Sequence, residues 1–563
     1  MESSLDPKAA RDSHAPGRPS LLASRFVANW TAARQQPRPT ETRRFAGGRR
    51  FISPIRVHPC PSVVFTRGIL LWKRSTTMAT KHRLTLPSRL ALAAYSLATN
   101  VLLPPAVLFA APFLRANPKR RATLLPRLGF QPYPKFDPHR PPPVWVHALS
   151  VGELLSAVPF LQALKARLGE RPLVVSVSTL AARELAEARL KEIADGFLYF
   201  PFDTAVAYRR CLARIRPALL VLIETDIWPG YLRHFRRAGV PCWLLNGRLS
   251  PQSFRGWRRA WWLFGPALAC FERIHGQSAA ENERFAALGV ARGQLGEPGN
   301  LKFDACGPPA APEAVTALRQ KLGYMPDDRV LVAGSTHPGE EEIVRDAFLR
   351  LRQEFPGLKL ISVPRHPARA AEVSALFRES GLEVRLFSEQ ESSSAAVAAP
   401  MAGAPGGARL RPSQPRPTTT PGPEGGVKAE AIRGPSPPAP IVLVVDRLGY
   451  LNRLYGLCEV AVVGGSFAPK GGQNPIEPAA AGKPVLFGPD MSDFPEIAVW
   501  LVERRAAFQV ANAPEVEQRL RDLLADPDQA RAMGERGRAL VAEHRGVTQR
   551  FAHAVVQRLG GTT

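Results

Sequence analysis

The chain has 563 residues, enough for two or three domains, and its 45% hydrophobic content is that of an ordinary globular protein. Lysine and arginine number 75 against 48 acidic residues, and the net charge of +27 favours an anionic partner: nucleic acid, acidic lipid or a phosphorylated substrate. The six cysteines form no Cys-x-x-Cys pair and have no metal-ligand spacing. This argues against a disulfide framework and indicates a reducing compartment.

Residues 1–77 are rich in Arg, Pro and Ser, contain only four acidic residues and show no sustained periodicity. Such a segment buries too little apolar surface to offset its ordering entropy, so we expect disorder. An acid-poor, Arg-rich start is also typical of an organellar transit peptide. We favour a simpler interpretation, in which Met78 is the real start and the upstream stretch is a gene-model artefact or a dispensable tail.

Residues 78–122 contain an uncharged stretch, 90–114, flanked by basic residues at both ends. At 1.5 Å per residue, a helix of this length reaches across a bilayer core of about 30 Å. Pro104 and Pro105 interrupt it, and the basic flanks favour a cytoplasmic face. We expect a membrane anchor or a re-entrant, interfacial helix; the alternative is a hydrophobic N-terminal helix of a soluble domain.

Residues 123–300 alternate short apolar runs with helical patterns. The runs lie at 143–149, 173–177, 218–223 and 240–245. Strands alternating with helices predict a parallel sheet covered on both faces, which binds ligands beyond the carboxyl ends of its strands. Glu153, Glu224 and the turn Asn246-Gly-Arg-Leu-Ser250 follow such ends and are candidate site residues.

A second series of the same kind begins near residue 301. Its apolar runs lie at 330–333, 360–363, 441–445, 460–463 and 484–487. Residues 391–438 interrupt it with Ala, Pro, Gly, Ser and Thr and almost no large apolar residue, which predicts a disordered surface insertion. The sequence therefore predicts a second α/β domain over 301–390 and 439–563.

A glycine-rich loop, residues 464–478, joins two of these runs. Its backbone amides are candidates to cradle a phosphate, since glycine permits close approach and a following helix aims its N-terminus at an anion. Glu477 is then placed to accept hydrogen bonds from a sugar hydroxyl. The alternative is a tight glycine turn with Glu477 merely solvated.

Seven motifs occur in order along the chain: Trp145-Val-His-Ala-Leu-Ser-Val-Gly-Glu153, Ile223-Glu-Thr-Asp-Ile-Trp-Pro229, Asn246-Gly-Arg-Leu-Ser250, Gly299-Asn-Leu-Lys-Phe-Asp304, Gly334-Ser-Thr-His-Pro-Gly-Glu-Glu341, Pro364-Arg-His-Pro367 and Gly471-Gly-Gln-Asn-Pro-Ile-Glu477. Together they resemble the motifs of the 3-deoxy-D-manno-octulosonic acid (Kdo) transferases. The resemblance runs from about Met78 to the C-terminus, apart from the insertion. It implies the GT-B fold, two doubly wound parallel-sheet domains facing a cleft, with an N-terminal membrane-associated helix.

The resemblance also implies the reaction and its partners. Kdo would pass from CMP-Kdo, bound by the second domain, to the lipid A precursor lipid IVA, bound by the first, in lipopolysaccharide synthesis. The transfer would be inverting and take place at the cytoplasmic face of the inner membrane. No cofactor is implied, and no divalent metal, because CMP carries a single phosphate and no Asp-x-Asp-like pair follows a strand.

Three residues match the family's catalytic positions. The resemblance makes Glu153 the base that deprotonates the acceptor hydroxyl, and Glu224 and Lys302 the groups that stabilise the transition state. Without the resemblance, Glu153 is a first-turn helix acid, Glu224 a strand-end cap and Lys302 a surface lysine.

The donor-binding matches lie in the second domain: Pro364, Arg365, Leu448, Gly449, Tyr450, Asn474, Pro475, Ile476 and Glu477. Arginine suits a phosphate or cytosine. Tyr450 stands where the family usually has an acid, which puts a side-chain role there in doubt, and Gln473 stands where it usually has histidine. Ser335 and Thr336 are further candidates to place hydroxyls near the phosphate, although strand-end capping explains them equally well.

The acceptor implied by the resemblance is a doubly phosphorylated, acylated glucosamine disaccharide. Arg248 and Arg255, with Arg258 and Arg259 nearby, are candidates to meet its phosphates. Three tryptophans are candidates to lie at the membrane interface: Trp257, Trp261 and Trp262. A solvated basic face over buried tryptophans is the alternative.

Three other functions are weighed against this one. Another GT-B transferase, using for example a UDP-sugar, would be expected to lack the Ser-Val-Gly-Glu turn. A basic nucleic-acid-binding protein is disfavoured because no nucleic-acid motif occurs and the basic residues of 1–77 lie outside the folded region. A degenerate, non-catalytic homologue gains slight support from Tyr450.

Overall fold

The computed structural model describes residues 85–102, 105, 118–391 and 440–560. The predicted disordered extension at 1–77, with the proposed start at Met78, lies outside these residues, as does nearly all of the predicted insertion at 391–438.

The first domain is built on a six-stranded parallel sheet with the strand order β3-β2-β1-β4-β5-β6. Every residue of its central strands β1, β2 and β4 is buried, and most of them are Val, Leu or Ile, as a sheet covered on both faces requires. The strands are β1 Val144–Ala148, β2 Leu173–Val177, β3 Gly196–Tyr199, β4 Leu219–Ile223, β5 Cys242–Gly247 and β6 Arg273–Gly276.

Helices connect these strands and cover both faces of the sheet. Several begin at a hydroxyl cap: Ser150, Thr179 and Ser278 each accept a hydrogen bond from a first-turn amide. The helices of this part of the chain are α1 Leu86–Leu97, α2 Pro118–Arg127, α3 Val151–Leu168, α4 Leu180–Leu190, α5 Ala205–Ile215, α6 Pro229–Arg237, α7 Pro251–Arg259, α8 Trp261–Leu268 and α9 Ala279–Ala287.

The second domain is built on a seven-stranded parallel sheet with the order β13-β12-β11-β7-β8-β10-β9. Its strands are β7 Arg329–Thr336, β8 Leu358–Pro364, β9 Val384–Leu386, β10 Val442–Val444, β11 Val460–Val463, β12 Val485–Phe487 and β13 Ala507–Gln509. The helices from the linker onwards are α10 Lys302–Ala305, α11 Pro312–Lys321, α12 Glu340–Glu354, α13 Ala370–Glu379, α14 Leu451–Leu457, α15 Ile476–Ala480, α16 Pro495–Glu503, α17 Ala513–Ala525, α18 Pro527–Glu543 and α19 Val547–Arg558.

Both sheets reverse their strand order at one point, between β1 and β4 in the first domain and between β7 and β11 in the second. Ligands of doubly wound sheets bind outside the carboxyl ends of the strands at such a switch point. A pocket between the domains is lined by side chains of both, Arg248 and Lys302 from one side and Asp493 and Phe494 from the other. The predicted fold, two doubly wound domains facing a cleft, is confirmed.

The last helix, α19, returns to the first domain. Val547, Phe551 and Val555 are buried in the same core as α3, and Asp304 accepts hydrogen bonds from the amides of Gly546 and Thr548 at the start of α19. The sequence had assigned all of 439–563 to the second domain. The structure differs for this helix because its apolar face packs against α3 and completes the core of the first domain. The local sequence of the helix does not indicate which domain it packs against.

Helix α1 covers the first part of the predicted membrane anchor and leads into a π-helical turn, Ala98–Leu102. Its Tyr95 hydroxyl donates to Asp203, and Asn100 accepts from the amide of Ala205 at 2.5 Å, so the helix is attached to the first domain. Within the described ranges, no helix is both long and apolar enough to cross a bilayer. The remainder of 90–114 lies almost entirely outside the described residues, and the membrane association of α1 stays a prediction.

Candidate functional site

Glu153 lies in the first turn of α3, directly after β1 at the switch point of the first sheet. Its Oε2 accepts a hydrogen bond of 2.6 Å from the amide of Leu149, and its own amide donates to the Ser150 hydroxyl. Burial raises the pKa of Glu153 to about 8, and the neighbouring carboxylates of Glu224 and Asp226 add to the rise. A carboxyl group titrating there is suited to general-base catalysis near neutral pH.

Glu224 follows β4, on the other side of the same switch point. Its backbone has a φ of 60°, which is strained for a residue with a side chain, and Asn246 near the end of β5 has a φ of 59°. The Asn246 amide nitrogen approaches Glu224 Oε1 at 3.4 Å, and Asn246 Oδ1 accepts from the amide of Leu301. Burial raises the pKa of Glu224, although Lys302 and Arg248 oppose that rise.

The structure adds a His–Asp pair that the sequence had not singled out. Nε2 of His147, buried within β1, lies 3.0 Å from Asp226 Oδ2, while Nδ1 lies 3.0 Å from the Ser176 carbonyl oxygen. Burial alone would raise the pKa of Asp226, but the contact with His147 and the hydrogen bond from Trp228 bring it below its ordinary value. Asp226 therefore remains charged beside Glu153 and Glu224.

Lys302 and Arg248 converge on one loop of the second domain. Lys302 Nζ and Arg248 Nη1 each lie 3.4 Å from the carbonyl oxygen of Asp493, and Arg248 Nη2 lies 2.5 Å from that of Ser492. Burial lowers the pKa of Lys302, while Glu224, Asp493 and Glu153 act in the opposite direction. Arg248, expected on acceptor phosphates, is thus placed at the domain interface beside Lys302.

The first half of the glycine loop is already occupied by an internal anion. Glu340, at the start of α12 and 2% exposed, accepts from the amides of Gly465, Ser466 and Phe467 at 2.6–2.9 Å, and from that of His337. The expectation that these amides cradle a phosphate was therefore wrong. Sequence reasoning missed Glu340 because first-turn glutamates are common; its place in the Gly-Ser-Thr-His-Pro-Gly-Glu motif was the available signal.

Replacing Glu340 by glutamine is expected to lower the free energy of unfolding by about 2–4 kcal/mol, because the new NH2 group faces buried amide donors that have lost their acceptor. Urea unfolding of the two proteins measures the difference. Glu342, exposed in the same helical turn, provides the control: Glu342→Gln is expected to unfold like the wild type. Equal stabilities for the Glu340 and Glu342 variants would contradict the role given to Glu340.

The second half of the glycine loop holds the predicted nucleotide-binding segment. Asn474 donates to Glu477 Oε1 at 3.0 Å and accepts from the amide of Ile476, so that Pro475 and Ile476 are held in the turn before α15. Burial raises the pKa of Glu477. The Gln473 side chain lies 3.5 Å from His337 Nε2. The position where the family usually has histidine is therefore next to the imidazole of His337.

Pro364 ends β8 beside the switch point of the second sheet, and Arg365 follows it. The Arg365 amide donates to the Thr336 carbonyl, and its side chain is exposed. Ser335, at the end of β7, has a φ of 58°, and the hydroxyl of Thr336 is buried without a protein partner in the described part of the chain. Strained residues therefore mark the switch points of both domains.

The remaining donor-side matches lie before α14. Leu448 is exposed, Gly449 has a φ of 89°, which suits glycine, and Tyr450 packs its ring 4.5 Å from that of Phe387. The tyrosine is thus seated against an apolar neighbour where the family usually carries an acid. A side-chain role for Tyr450 in donor binding stays a prediction.

Arg255, Arg258 and Arg259 lie on α7, which buries none of its side chains. Trp257 stacks on Phe264 of α8 at 4.5 Å, while Trp261 and Trp262 are exposed. This face directly follows the Asn246–Ser250 motif in sequence and is joined to α1, which packs against α8. Its contact with an acceptor stays a prediction.

Comparison with known proteins fixes the family. Residues 122–305 match the family described as "3-Deoxy-D-manno-octulosonic-acid transferase (kdotransferase)". The 3-deoxy-D-manno-octulosonic acid transferase of Bordetella pertussis is 32% identical over 428 residues, which cover 74% of this chain and 88% of that protein. The chain belongs to the Kdo transferase family. The resemblance drawn from the seven motifs is confirmed.

Other similar proteins share less sequence identity with the chain. That of Haemophilus influenzae is 26% identical and covers 77% of this chain and 91% of its own length. Among solved structures, the C-terminal CMP-Kdo binding domain of WaaA from Acinetobacter baumannii is 23% identical, with a TM-score of 0.31, and covers 41% of this chain and 97% of that chain. The Neisseria meningitidis UDP-GlcNAc 2-epimerase is 12% identical, with a TM-score of 0.46 and coverage of 74% and 100%.

Proposed function

We propose that this Kdo transferase family member moves Kdo from CMP-Kdo to lipid IVA, with Glu153 as the base. Family membership supports the reaction, and one observation supports the assignment of the base. Glu153 is a partly buried carboxyl group at the switch point of the first sheet, with a pKa raised to about 8. Such a group is a stronger base than an ordinary carboxylate, and the ionised fraction that can take a proton grows as the pH rises through about 8.

The proposed chemical step is a direct displacement with inversion. The acceptor hydroxyl gives its proton to Glu153 as its oxygen forms a bond to the anomeric carbon of Kdo. The bond from that carbon to the phosphate oxygen breaks, and its electron pair leaves with CMP. Positive charge at the anomeric carbon is balanced by Glu224, and negative charge on the leaving phosphate by Lys302. Because CMP carries one phosphate, the proposal needs no divalent metal.

Arg248 and Lys302 support a site for the carboxylate of the donor sugar. Both cations point at the carbonyl oxygens of Ser492 and Asp493, which present two neighbouring oxygens as a carboxylate does. In the donor complex the Kdo carboxylate would replace this contact, and the guanidinium suits two-pronged binding. This gives Arg248 a donor-side role in place of the acceptor-side role expected from sequence.

The CMP moiety is proposed to lie over the carboxyl edge of the second sheet. Arg365 would meet the phosphate, and Glu477, steadied by Asn474, would accept from the ribose. Since Glu340 already takes the amides of the first half of the glycine loop, side chains rather than those amides would carry phosphate binding.

We further propose that the first domain lies against the cytoplasmic face of the inner membrane. Helix α1 exposes Leu86, Leu90 and Leu97, and α8 beside it exposes Trp261 and Trp262. The basic side chains of α7 adjoin this apolar surface. Apolar residues, aromatic rings and basic charge in one region favour an anionic lipid surface.

Neutralising Arg255, Arg258 and Arg259 together with glutamine is expected to weaken binding to vesicles containing anionic lipid roughly 100-fold, at about 1 kcal/mol per charge. Vesicle co-sedimentation measures the loss. A variant with Arg447, Arg504 and Arg531 of the second domain changed to glutamine loses the same three charges. It is expected to bind the vesicles like the wild type. If both triple variants lose affinity equally, total charge rather than this face binds lipid.

A donor screen tests the reaction itself. The full chain is incubated with lipid IVA and either CMP-Kdo, generated in place because it is labile, or a set of UDP-sugars, and the lipid is analysed by mass spectrometry. We expect a mass gain of one or more Kdo residues with CMP-Kdo only. A gain with a UDP-sugar instead would identify a different transferase on the same fold.

A further inference from the structure

Trp228 is the most exposed tryptophan among the described residues, with 52% of its surface accessible. Its indole N–H nevertheless donates a hydrogen bond of 2.6 Å to Asp226 Oδ1. Exposed surface side chains ordinarily sample several rotamers, and fixing one costs entropy. A large apolar ring that is both open to solvent and fixed in orientation is suited to receive a ligand.

Asp226, the residue that holds Trp228, is itself held by two other side chains. Asp226 Oδ2 lies 3.0 Å from Nε2 of the buried His147, and the Asp226 carbonyl accepts from the Tyr231 hydroxyl at 2.5 Å. His147 is stacked on Phe200 with ring centres 3.9 Å apart. The position of the Trp228 ring is therefore set by the buried core at the edge of the first sheet where Glu153 lies.

On its other side Trp228 adjoins the attachment of α1. It precedes α6, and the amides of Gly230 and Tyr231 in the first turn of that helix donate to Asp203. The same carboxylate accepts from Tyr95 of α1. Trp228 is thus linked through Asp226 to the sheet edge where the proposed base lies, and through α6 and Asp203 to the helix whose leucines are exposed.

We propose that the exposed face of Trp228 is the platform on which the sugar ring of the acceptor rests while its hydroxyl faces Glu153. The inference depends on the proposed function. One face of a pyranose ring presents polarised C–H groups, and the face of an indole ring carries negative charge density, so the two attract when stacked. A glycolipid must place its sugar at Glu153 and its acyl chains toward α1, and Trp228 lies on the path between them.

The chemistry of the N–H group distinguishes this role from membrane anchoring. Tryptophans of a membrane interface turn the N–H toward the polar layer, whereas that of Trp228 is committed to a carboxylate of the protein. Trp262, 44% exposed on α8, is the comparison residue for anchoring.

The test measures KM for lipid IVA in detergent micelles and KM for CMP-Kdo for full-length Trp228→Ala, Trp228→Leu and Trp228→Phe. We expect the Ala and Leu variants to raise the acceptor KM about tenfold with the donor KM unchanged, and Phe, which keeps an aromatic face, to restore most of the loss. Met325→Ala, an exposed apolar residue of the second domain, serves as control. Vesicle co-sedimentation without acceptor is expected to weaken for Trp262→Ala and not for Trp228→Ala.

Three results would overturn the platform. A Trp228→Leu variant with the wild-type acceptor KM would show that no aromatic contact with the acceptor exists. A Trp228→Phe variant whose acceptor KM is raised as much as that of Trp228→Ala would show that the hydrogen bond to Asp226, rather than the aromatic face, is what matters. Loss of vesicle binding in Trp228→Ala equal to that in Trp262→Ala would assign the residue to the membrane. A wild-type chain that forms no Kdo product contradicts the proposed function, whereas normal product from Trp228→Ala at a normal KM contradicts this inference alone.

Discussion

Replacing Glu153 by glutamine is expected to lower kcat for Kdo transfer about 1,000-fold, within the range of ~10²–10⁴ for loss of a general base. Glutamine keeps the shape and an oxygen for the Leu149 amide but accepts no proton. Product formation followed by mass spectrometry of the lipid measures the loss. Glu187→Gln, an exposed glutamate of the same domain paired with Arg183, is expected to leave kcat unchanged.

The raised pKa of Glu153 also predicts how the stability of Glu153→Gln depends on pH, which an exposed glutamate with an ordinary pKa would not. Burial raises the pKa of Glu153 from 4.5 to about 8, so between these values the folded protein holds a proton that the unfolded chain releases. The wild type therefore loses stability as the pH rises through this window, and Glu153→Gln does not. We expect the variant to melt above the wild type at pH 8.5, with a smaller difference near pH 5; a variant less stable at both values would contradict the assigned burial.

Replacing Lys302 by glutamine is expected to lower kcat about 100- to 1,000-fold, the loss typical of removing one preorganised group that stabilises developing charge. Lys302 faces Glu224, and its Nζ otherwise contacts only a backbone carbonyl and the Phe494 ring among the contacts described for it, so the change breaks no direct side-chain ion pair. Single-turnover rates with saturating donor measure the effect.

Lys165→Gln is the matched control for Lys302. Lys165 pairs with Asp195 at 2.6 Å on the surface of the first domain, where an ion pair contributes little. Its loss is expected to leave the rate unchanged. A Lys302→Gln variant that turns over within about threefold of this control would remove Lys302 from the transition state and leave it a role in closing the cleft.

The strands predicted from the sequence are the central ones, and the physical reason is burial. β1, β2 and β4 are covered on both faces and appear as mostly apolar runs, which only His147 and Ser176 interrupt. The four strands that the sequence analysis did not single out are the edges of the two sheets: β3, β6, β9 and β13. They are short and partly exposed, with residues such as Arg273 and Gln509, so they lack a pattern that distinguishes them from loops.

The site divides in a similar way. Glu153 was predictable because a hydroxyl cap, a helix start and a strand end stand next to one another in sequence. The contacts of Glu340 with the glycine loop join residues more than 120 positions apart, and those of His147 with Asp226 join residues 79 apart. The local sequence around these residues gives no sign of such long-range contacts. The same holds for α19, whose place in the first domain is decided by the core beneath α3.

The pH dependence of kcat/KM for lipid IVA tests the central claim most directly, since it reports the ionisation of the base in the enzyme that has not yet bound the acceptor. With CMP-Kdo saturating, the rate constant is measured between about pH 5.5 and 9.5 for the wild type. We predict a limb that rises with pH and levels off after a midpoint near the Glu153 pKa of about 8. A profile that is flat over this range, or that has already levelled off at its acid end, would contradict the claim that Glu153, buried beside Glu224, is the base.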